Sequence, residues 1–194
     1  MGGGLLRAAV APLVALVLLS GCGRGATEPA PTVGPATDIL PGGVDVVVRK
    51  VIDGDTIDVS GGERVRLIGI DTPETKDPNR PAGCFGLEAS RFTSTVLPPG
   101  TPVRLVGDAE QRDRYGRLLA YVYRRADGLF VNAELLRRGY AQLLTIPPNV
   151  AHTDQLAAIA RDARAGSQGL WAACTLLPDG RVAPASSSGG RGSG

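Results

Sequence analysis

The alternation of apolar and polar side chains predicts three consecutive antiparallel strands near the start of the folded region. Residues 44–51 are β-branched and apolar, the turn sequence 53–55 (Asp-Gly-Asp) follows, and a second β-rich run begins at Thr56. This order is typical of a hairpin. Two glycines at 61–62 mark the next turn, and residues 64–70 predict the third strand.

Two more strands and three helices are predicted after this meander. Helical spacing of apolar residues favours helices over 87–97, 131–144 and about 152–165, and strands are predicted over 102–106 and 118–123. Five strands with a helix between the third and the fourth match a small Greek-key barrel. The pattern alone supports only a mostly β domain with two helices after it.

The N-terminus carries an apolar run that is too short to span a bilayer. It extends over residues 8–19 and follows a single arginine, Arg7, whereas a spanning helix needs about 20 residues. We interpret residues 1–21 as a secretory signal. The alternative is a short buried helix.

Residues 19–22 (Leu-Ser-Gly-Cys) resemble the end of a bacterial lipoprotein signal, in which the cysteine is acylated and becomes the mature N-terminus. Acyl chains on Cys22 would hold the protein at a membrane without a spanning helix. We therefore expect an exported protein, either a cell-membrane lipoprotein that faces outside or a secreted one. An incidental cysteine beside an ordinary cleavage site is the alternative.

Composition places one domain between two irregular ends. The chain has 194 residues, 43% of them hydrophobic, and all eight aromatic residues lie between positions 85 and 171. Residues 22–43 are small and rich in proline and glycine and predict a tether; residues 178–194 predict a disordered tail. The folded domain is then about 44–177.

Two cysteines remain if Cys22 is acylated. An even remainder in an exported chain favours a disulfide between Cys84 and Cys174, and two separate buried thiols are the alternative. The chain has no Cys-x-x-Cys motif and His152 is its only histidine, so the sequence disfavours a zinc site.

Two acidic residues at strand ends carry the first chemical signal. The net charge is only +2, so a nucleic-acid site must be argued locally. Asp55 opens the second strand and Asp71 closes the third, and antiparallel neighbours bring these ends together. Convergent carboxylates repel one another unless a cation or a proton lies between them. Outside the cell, the hard cation suited to oxygen ligands is Ca²⁺.

A third carboxylate and two arginines extend the candidate site. Glu74, in a loop just after Asp71, is a candidate general base. Arg117 precedes the fifth strand, and a guanidinium suits the charge on a phosphodiester transition state. Arg66 lies five residues before Asp71, so the pleat places the two on opposite faces unless the strand bends near Gly69.

Each of these residues also has a structural interpretation. Asp-Gly-Asp is most often a turn, a strand arginine usually pairs at the surface, and a glutamate after Thr-Pro can cap a turn. The joint pattern is what favours a site.

Several motifs in this order resemble the staphylococcal nuclease (thermonuclease) family. They are Val-Ile-Asp-Gly-Asp-Thr at 51–56, Val-Arg-Leu-Ile-Gly-Ile-Asp-Thr-Pro-Glu-Thr at 65–75, Asp-Arg-Tyr-Gly-Arg at 113–117 and Leu-Ala-Tyr at 119–121. The similarity continues to the Gly-Leu-Trp at 169–171, so it covers nearly all of residues 44–171.

The resemblance implies an α+β fold, a five-stranded OB-fold β-barrel with about three α-helices. It also implies a calcium-dependent endonuclease that cuts the 5′ P–O bond of DNA and RNA, leaves 3′-phosphates and has little sequence preference, in a monomer. The roles that it assigns are Ca²⁺ binding by the Asp55 and Asp71 carboxylates and the Thr72 carbonyl, water activation by Glu74, phosphate binding by Arg66 and Arg117, and substrate contact by Tyr115 and Arg114.

The chain departs from the family where tyrosines would lie near the nucleotide base. It has Thr-Ile-Pro at 145–147, which would lose base stacking. Two alternatives belong to other functional classes: a catalytically inactive OB module that only binds nucleic acid, and a cell-surface lipoprotein that borrows the fold.

Overall fold

The computed structural model describes residues 42–78 and 81–185. The predicted signal and lipidation site at Cys22, and most of the predicted tether, lie outside these residues. The strands are β1 (Val44–Asp53), β2 (Thr56–Val59), β3 (Arg64–Leu67), β4 (Gly69–Asp71), β5 (Pro102–Val106), β6 (Leu118–Arg124), β7 (Gln142–Leu144), β8 (Cys174–Leu176) and β9 (Val182–Pro184). The α-helices are α1 (Gly86–Val96), α2 (Val131–Arg137), α3 (Thr153–Ala165) and α4 (Leu170–Ala173), and a 3₁₀ turn occupies Ser60–Gly62.

Five strands close into a barrel in the order β1, β2, β3, β6, β5. All neighbours are antiparallel except β3 and β6, which run parallel. Helix α1 lies between the third and the fourth barrel strands in sequence. The predicted α+β fold with an OB-type barrel is therefore confirmed, and the described residues add a short fourth helix to the three that were expected.

The inward positions of the strands form the core. Ile57, Val65 and Leu67 are fully buried inside the barrel, and Leu135 of α2 and Leu156 of α3 extend the same cluster. Period-two alternation thus packs one face of each strand inward. The ends of these strands lie at the rim of the barrel, outside the core, and can carry polar groups.

The third predicted strand is broken at Ile68. Gly69 has a φ of +79°, so the chain turns there and β4 leaves the barrel to pair with β7. A residue with a side chain is strained at this positive φ, and its β-carbon would also lie 2.5 Å from the Leu156 Cδ1 atom, which would have to shift, so glycine is favoured at this position. The bend that is needed to bring Arg66 and Asp71 to the same face is therefore present.

The prediction of one helix over residues 131–144 is wrong. Helix α2 ends at Arg137, and Gly139 follows with a φ of +67°. A β-carbon on Gly139 would lie 2.0 Å from the Gln168 carbonyl oxygen, so this close backbone approach stops the helix. Residues 142–144 then pair with β4 instead.

The predicted tail boundary at residue 178 is also wrong for the part that the structure describes. Strands β8 and β9 form an antiparallel hairpin that continues to Pro184; residues 186–194 lie outside the described residues. Cys84 and Cys174 form a disulfide, which ties this hairpin to the segment before α1. None of the helices within the described residues is long and apolar enough to cross a membrane.

Candidate active site

Asp55 lies in the tight turn between β1 and β2 and is almost completely buried. Its Oδ2 atom accepts hydrogen bonds from the Thr72 backbone N–H at 2.8 Å and from the Thr72 hydroxyl at 3.0 Å. A β-carbon on Gly54 would lie 2.7 Å from the Thr72 Oγ1 atom. The glycine of the Asp-Gly-Asp turn is therefore what lets the segment after β4 approach Asp55.

Arg66 joins the two predicted metal ligands. Its Nη2 atom lies 3.2 Å from Asp55 Oδ2 and 2.9 Å from Asp71 Oδ1, so these two carboxylate oxygens are within about 6 Å of each other by geometry. Its Nη1 atom donates to the carbonyl of Ile70 at 2.9 Å. The bend between β3 and β4 thus wraps the chain around this guanidinium, whose side chain is only 13% exposed.

The charges at this rim favour a cation. Partial desolvation raises the pKa of Asp71; Arg66 opposes this effect, and the charges of Asp55 and Glu74 add to it. Ca²⁺ takes six to eight oxygen ligands, and backbone carbonyls and waters contribute to them. The Asp55 and Asp71 carboxylates, which lie on either side of the Arg66 guanidinium, are oxygen donors of the kind that such a shell uses. Within the described residues no group of three or more acidic, His or Cys side chains is placed to hold a metal ion by itself.

Glu74 lies in the loop after β4 and is exposed to the cleft. The backbone N–H of Lys76 donates to its Oε1 atom at 2.6 Å, and that of Thr75 donates at 2.7 Å. The Lys76 N–H is the main cause that lowers the pKa of Glu74. The carboxylate is therefore ionised at neutral pH and can accept a proton.

Asp53 is a site residue that the sequence interpretation missed, because Asp-Gly-Asp reads as a turn. It is buried and accepts a hydrogen bond from the Thr75 hydroxyl at 2.9 Å. Burial raises its pKa to about 6, and the neighbouring Glu74 carboxyl adds to this effect. Besides the Lys76 N–H, Asp53 contributes to the lowered pKa of Glu74. Asp53 and Glu74 are therefore electrostatically linked, and the Thr75 hydroxyl holds Asp53 beside the loop that carries Glu74.

Arg117 is held by the turn that precedes β6. Its Nε atom donates to Asp113 Oδ2 at 2.6 Å, while Asp113 Oδ1 accepts from the backbone N–H groups of Tyr115 and Arg117 at 2.9 and 3.0 Å. Asp113 thus organises the whole turn. The Tyr115 ring is 68% exposed, and Arg114 stacks over it at 4.8 Å. An exposed ring between guanidinium groups is a suitable surface for a nucleotide.

One cleft of about 750 Å³ collects the predicted catalytic and metal-binding residues. Its lining includes Asp55, Arg66, Asp71, Thr72, Glu74 and Arg117. A second cavity of about 770 Å³ shares Glu74 and Arg117 and contains Tyr115. Arg114 lines neither cavity and lies beside Tyr115.

The cleft can bind a phosphodiester by chemistry that its residues already display. Guanidinium groups and the ionised carboxylate of Glu74 line it, and its acidic residues can attract a hard cation. The tip of the β8–β9 hairpin also lines this cleft. The sequence interpretation missed the hairpin as well, although Pro-Asp-Gly at 178–180 is a turn signal.

Comparison with known proteins points the same way. A family model described as staphylococcal nuclease homologue matches residues 64–173. The thermonuclease of Staphylococcus intermedius is 42% identical over 139 residues, 70% of this chain and 80% of that protein. The thermonuclease of Staphylococcus hyicus is 39% identical over 127 residues, 64% of this chain and 73% of that protein. Endonuclease YncB of Bacillus subtilis is 36% identical over 132 residues, 66% of this chain and 62% of that protein.

Proposed function

This chain belongs to the staphylococcal nuclease family, and we propose that it is a calcium-dependent nuclease with little sequence preference. Family membership supports the assignment of the chain as a nuclease hydrolase. One observation supports the more specific proposal of a calcium-dependent nuclease: a single cleft holds the acidic pair Asp55 and Asp71, the guanidiniums of Arg66 and Arg117, and the ionised Glu74.

The proposed roles follow from the chemistry of each group. Asp55, Asp71 and the Thr72 carbonyl would hold Ca²⁺, which when bound neutralises the acidic rim and draws charge from a phosphoryl oxygen. Glu74 takes a proton from the attacking water, since its carboxylate is ionised and is held by two backbone N–H groups.

The two arginines act on the phosphoryl group. Arg66 lies between the Asp55 and Asp71 carboxylates and would donate to phosphoryl oxygens there, and Arg117 would donate from the Asp113 turn. Negative charge that gathers on the phosphoryl oxygens during attack is stabilised by both. The water oxygen bonds to phosphorus as the P–O5′ bond breaks. The 5′ oxygen takes a proton from solvent and leaves as a hydroxyl, and the phosphate stays on the 3′ oxygen. All these contacts involve the backbone of the substrate, which carries no sequence information.

A digestion assay tests this proposal. Plasmid DNA, single-stranded DNA and RNA are incubated with the protein in Ca²⁺ or in chelator. We expect cleavage only with Ca²⁺, and products that a polymerase extends only after phosphatase treatment. Glu74→Gln should slow cleavage by at least about 100-fold if Glu74 supplies general-base catalysis.

Glu88→Gln is the matched control, because Glu88 is exposed on α1 outside the cleft. It should cleave at the rate of the unaltered protein. Undiminished cleavage by Glu74→Gln would refute the assignment of the base, and equal cleavage in chelator would refute the calcium dependence. Binding of nucleic acid without any cleavage would instead support the inactive OB module.

We also propose that the protein is exported, is anchored through an acylated Cys22 and acts as a monomer. The apolar run before Cys22 supports export, and a disulfide is more typical of an oxidising compartment than of the cytosol. Intact mass of the mature protein tests acylation directly: a mass that starts at Cys22 without acyl chains would reject the anchor. Sedimentation of the purified protein tests the monomer.

A further inference from the structure

The β8–β9 hairpin forms a wall of the cleft outside the residues that the family model matches. The match ends at residue 173, and β8 begins at Cys174. The tip of the hairpin, residues 179–181, lines the same cleft as Asp71 and Arg66. The catalytic groups therefore share their cleft with a segment that has no assigned role.

Two attachments hold this hairpin in place. The disulfide between Cys174 and Cys84 fixes its base, next to Gly83, whose backbone N–H donates to the Glu74 carbonyl at 2.8 Å. At its tip, the Gln142 Nε2 atom donates to the Gly180 carbonyl at 3.3 Å. Gln142 is the cross-strand partner of Asp71. Both ends of the hairpin are thus tied to segments that carry candidate site residues.

The tip presents an arginine to the cleft. The Arg181 Nε atom donates to Asp179 Oδ2 at 2.7 Å, and the side chain is 64% exposed. No described residue accepts a hydrogen bond from either terminal nitrogen of Arg181. A guanidinium with both terminal nitrogens available forms paired hydrogen bonds with a phosphate.

The charged residues that line the cleft indicate a role for Arg181. Among the described residues that line it, six carry carboxylates and three carry guanidinium groups. Arg66 is shared by Asp55 and Asp71, and Arg117 is held by Asp113. A polyanion that enters this cleft needs a cation that is not already shared by the acidic pair. Arg181 lies on the β8–β9 hairpin, which is not part of the barrel, and pairs with Asp179 through Nε alone.

We propose that Arg181 binds a backbone phosphate of the substrate beside the scissile link, and that the disulfide-tied hairpin is the wall that holds it there. This inference rests on the proposed nuclease function. It assigns Arg181 to substrate binding and leaves the chemical step to the groups already described.

The test compares Arg181→Gln with Arg161→Gln, which removes the same charge from an exposed position of α3 outside the cleft. Affinity for a labelled single-stranded DNA of about 12 nucleotides is measured by fluorescence anisotropy with Ca²⁺, in a Glu74→Gln background that prevents cleavage. We expect Arg181→Gln to bind about threefold to tenfold more weakly and to lower the slope of log affinity against log salt by about 0.7. In the cleaving protein, KM should rise by the same factor with kcat nearly unchanged.

A second variant tests the wall itself. Replacing both Cys84 and Cys174 by serine releases the base of the hairpin, and we expect it to raise KM in the same direction as Arg181→Gln. Combining the two changes should cost less than the product of their separate effects, because both act through the position of one guanidinium. Full multiplication of the two effects would overturn the role of the wall.

The two failures are distinguishable. If the unaltered protein binds and cleaves while Arg181→Gln matches Arg161→Gln in affinity, KM and salt slope, Arg181 has no part in binding and only this inference is overturned. If the unaltered protein neither binds nor cleaves any of the nucleic acids, the proposed function is overturned together with it.

Discussion

Substitution of Asn132 tests how the barrel positions the candidate active site. It is fully buried at the start of α2. Its Oδ1 atom accepts from the Val122 backbone N–H at 2.9 Å, and its Nδ2 atom donates to the Ile68 carbonyl at 2.8 Å. One side chain thus satisfies the backbone of β6 and the residue at which the chain leaves β3 for β4. The position of Asp71 depends on this junction.

The magnitude follows from the groups that Asn132→Ala would leave without partners. The Val122 N–H and the Ile68 carbonyl would both stay buried, whereas the Ala120 carbonyl keeps the Ile68 N–H at 3.1 Å. Each orphaned buried group costs about 1–3 kcal/mol, so we expect the free energy of unfolding to fall by roughly 2–6 kcal/mol. Asn132→Asp keeps the acceptor but turns the donor into an oxygen that faces Ile68, so it should be no less destabilising.

Urea unfolding followed by circular dichroism measures this loss. Gln155→Ala removes the same carboxamide from an exposed position on α3 and should stay within about 0.5 kcal/mol of the unaltered protein. The nuclease rate of the folded Asn132→Ala fraction should also fall, because the bend that aims Asp71 is loosened. A free energy of unfolding for Asn132→Ala that equals that of Gln155→Ala would refute the reasoning.

Three further predictions concern stability. Gly69→Ala should destabilise the fold by about 1–3 kcal/mol in thermal unfolding, because the new β-carbon meets Leu156 at a positive φ; an unchanged melting temperature would argue against a rigid bend. Reduction of the Cys84–Cys174 bond, which spans 90 residues, should lower the free energy of unfolding by about 4 kcal/mol, measured with and without reductant. Burial opposes ionisation of Glu134, but Arg137 at the end of α2 and Arg138 directly after it outweigh burial and lower its pKa. Its stabilisation is therefore present above the usual carboxyl range and is lost as the pH falls below about 4, so Glu134→Gln should flatten the acid side of a melting-temperature profile.

The barrel and its acidic rim could be predicted because local pattern decides them. Alternation fixes which face of a strand is buried, and the turn Asp-Gly-Asp fixes where the first hairpin reverses. Antiparallel pairing brings the start of β2 beside the end of β3, and the bend at Gly69 then turns Asp71 of β4 toward Asp55. The spacing between Arg66 and Asp71 indicated that such a bend was needed if the two were to meet.

The errors occurred where distant parts of the chain decide local structure. Apolar residues over 131–144 fit a helical period, but the helix stops because the backbone at Gly139 packs against residues 168–169. The three residues of β7 are too few for alternation to distinguish a strand from a helix. The β8–β9 hairpin is short and polar, and its anchorage is a covalent bond to a cysteine 90 residues away, which no local pattern reveals.

The charges that line the cleft couple the binding of nucleic acid to the binding of the cation. The described lining of the cleft carries twice as many carboxylates as guanidinium groups, so it repels a polyanion while the acidic rim is bare. Under the proposed function, a cation held by Asp55 and Asp71 removes part of that repulsion, and a bound phosphate in turn supplies oxygen near the cation. Each ligand therefore raises the affinity for the other by the same factor. Because of the acidic excess, nucleic acid enters the cleft readily only when the metal is bound. Once the rim is neutralised, attraction comes from the guanidinium groups of Arg66, Arg117 and Arg181.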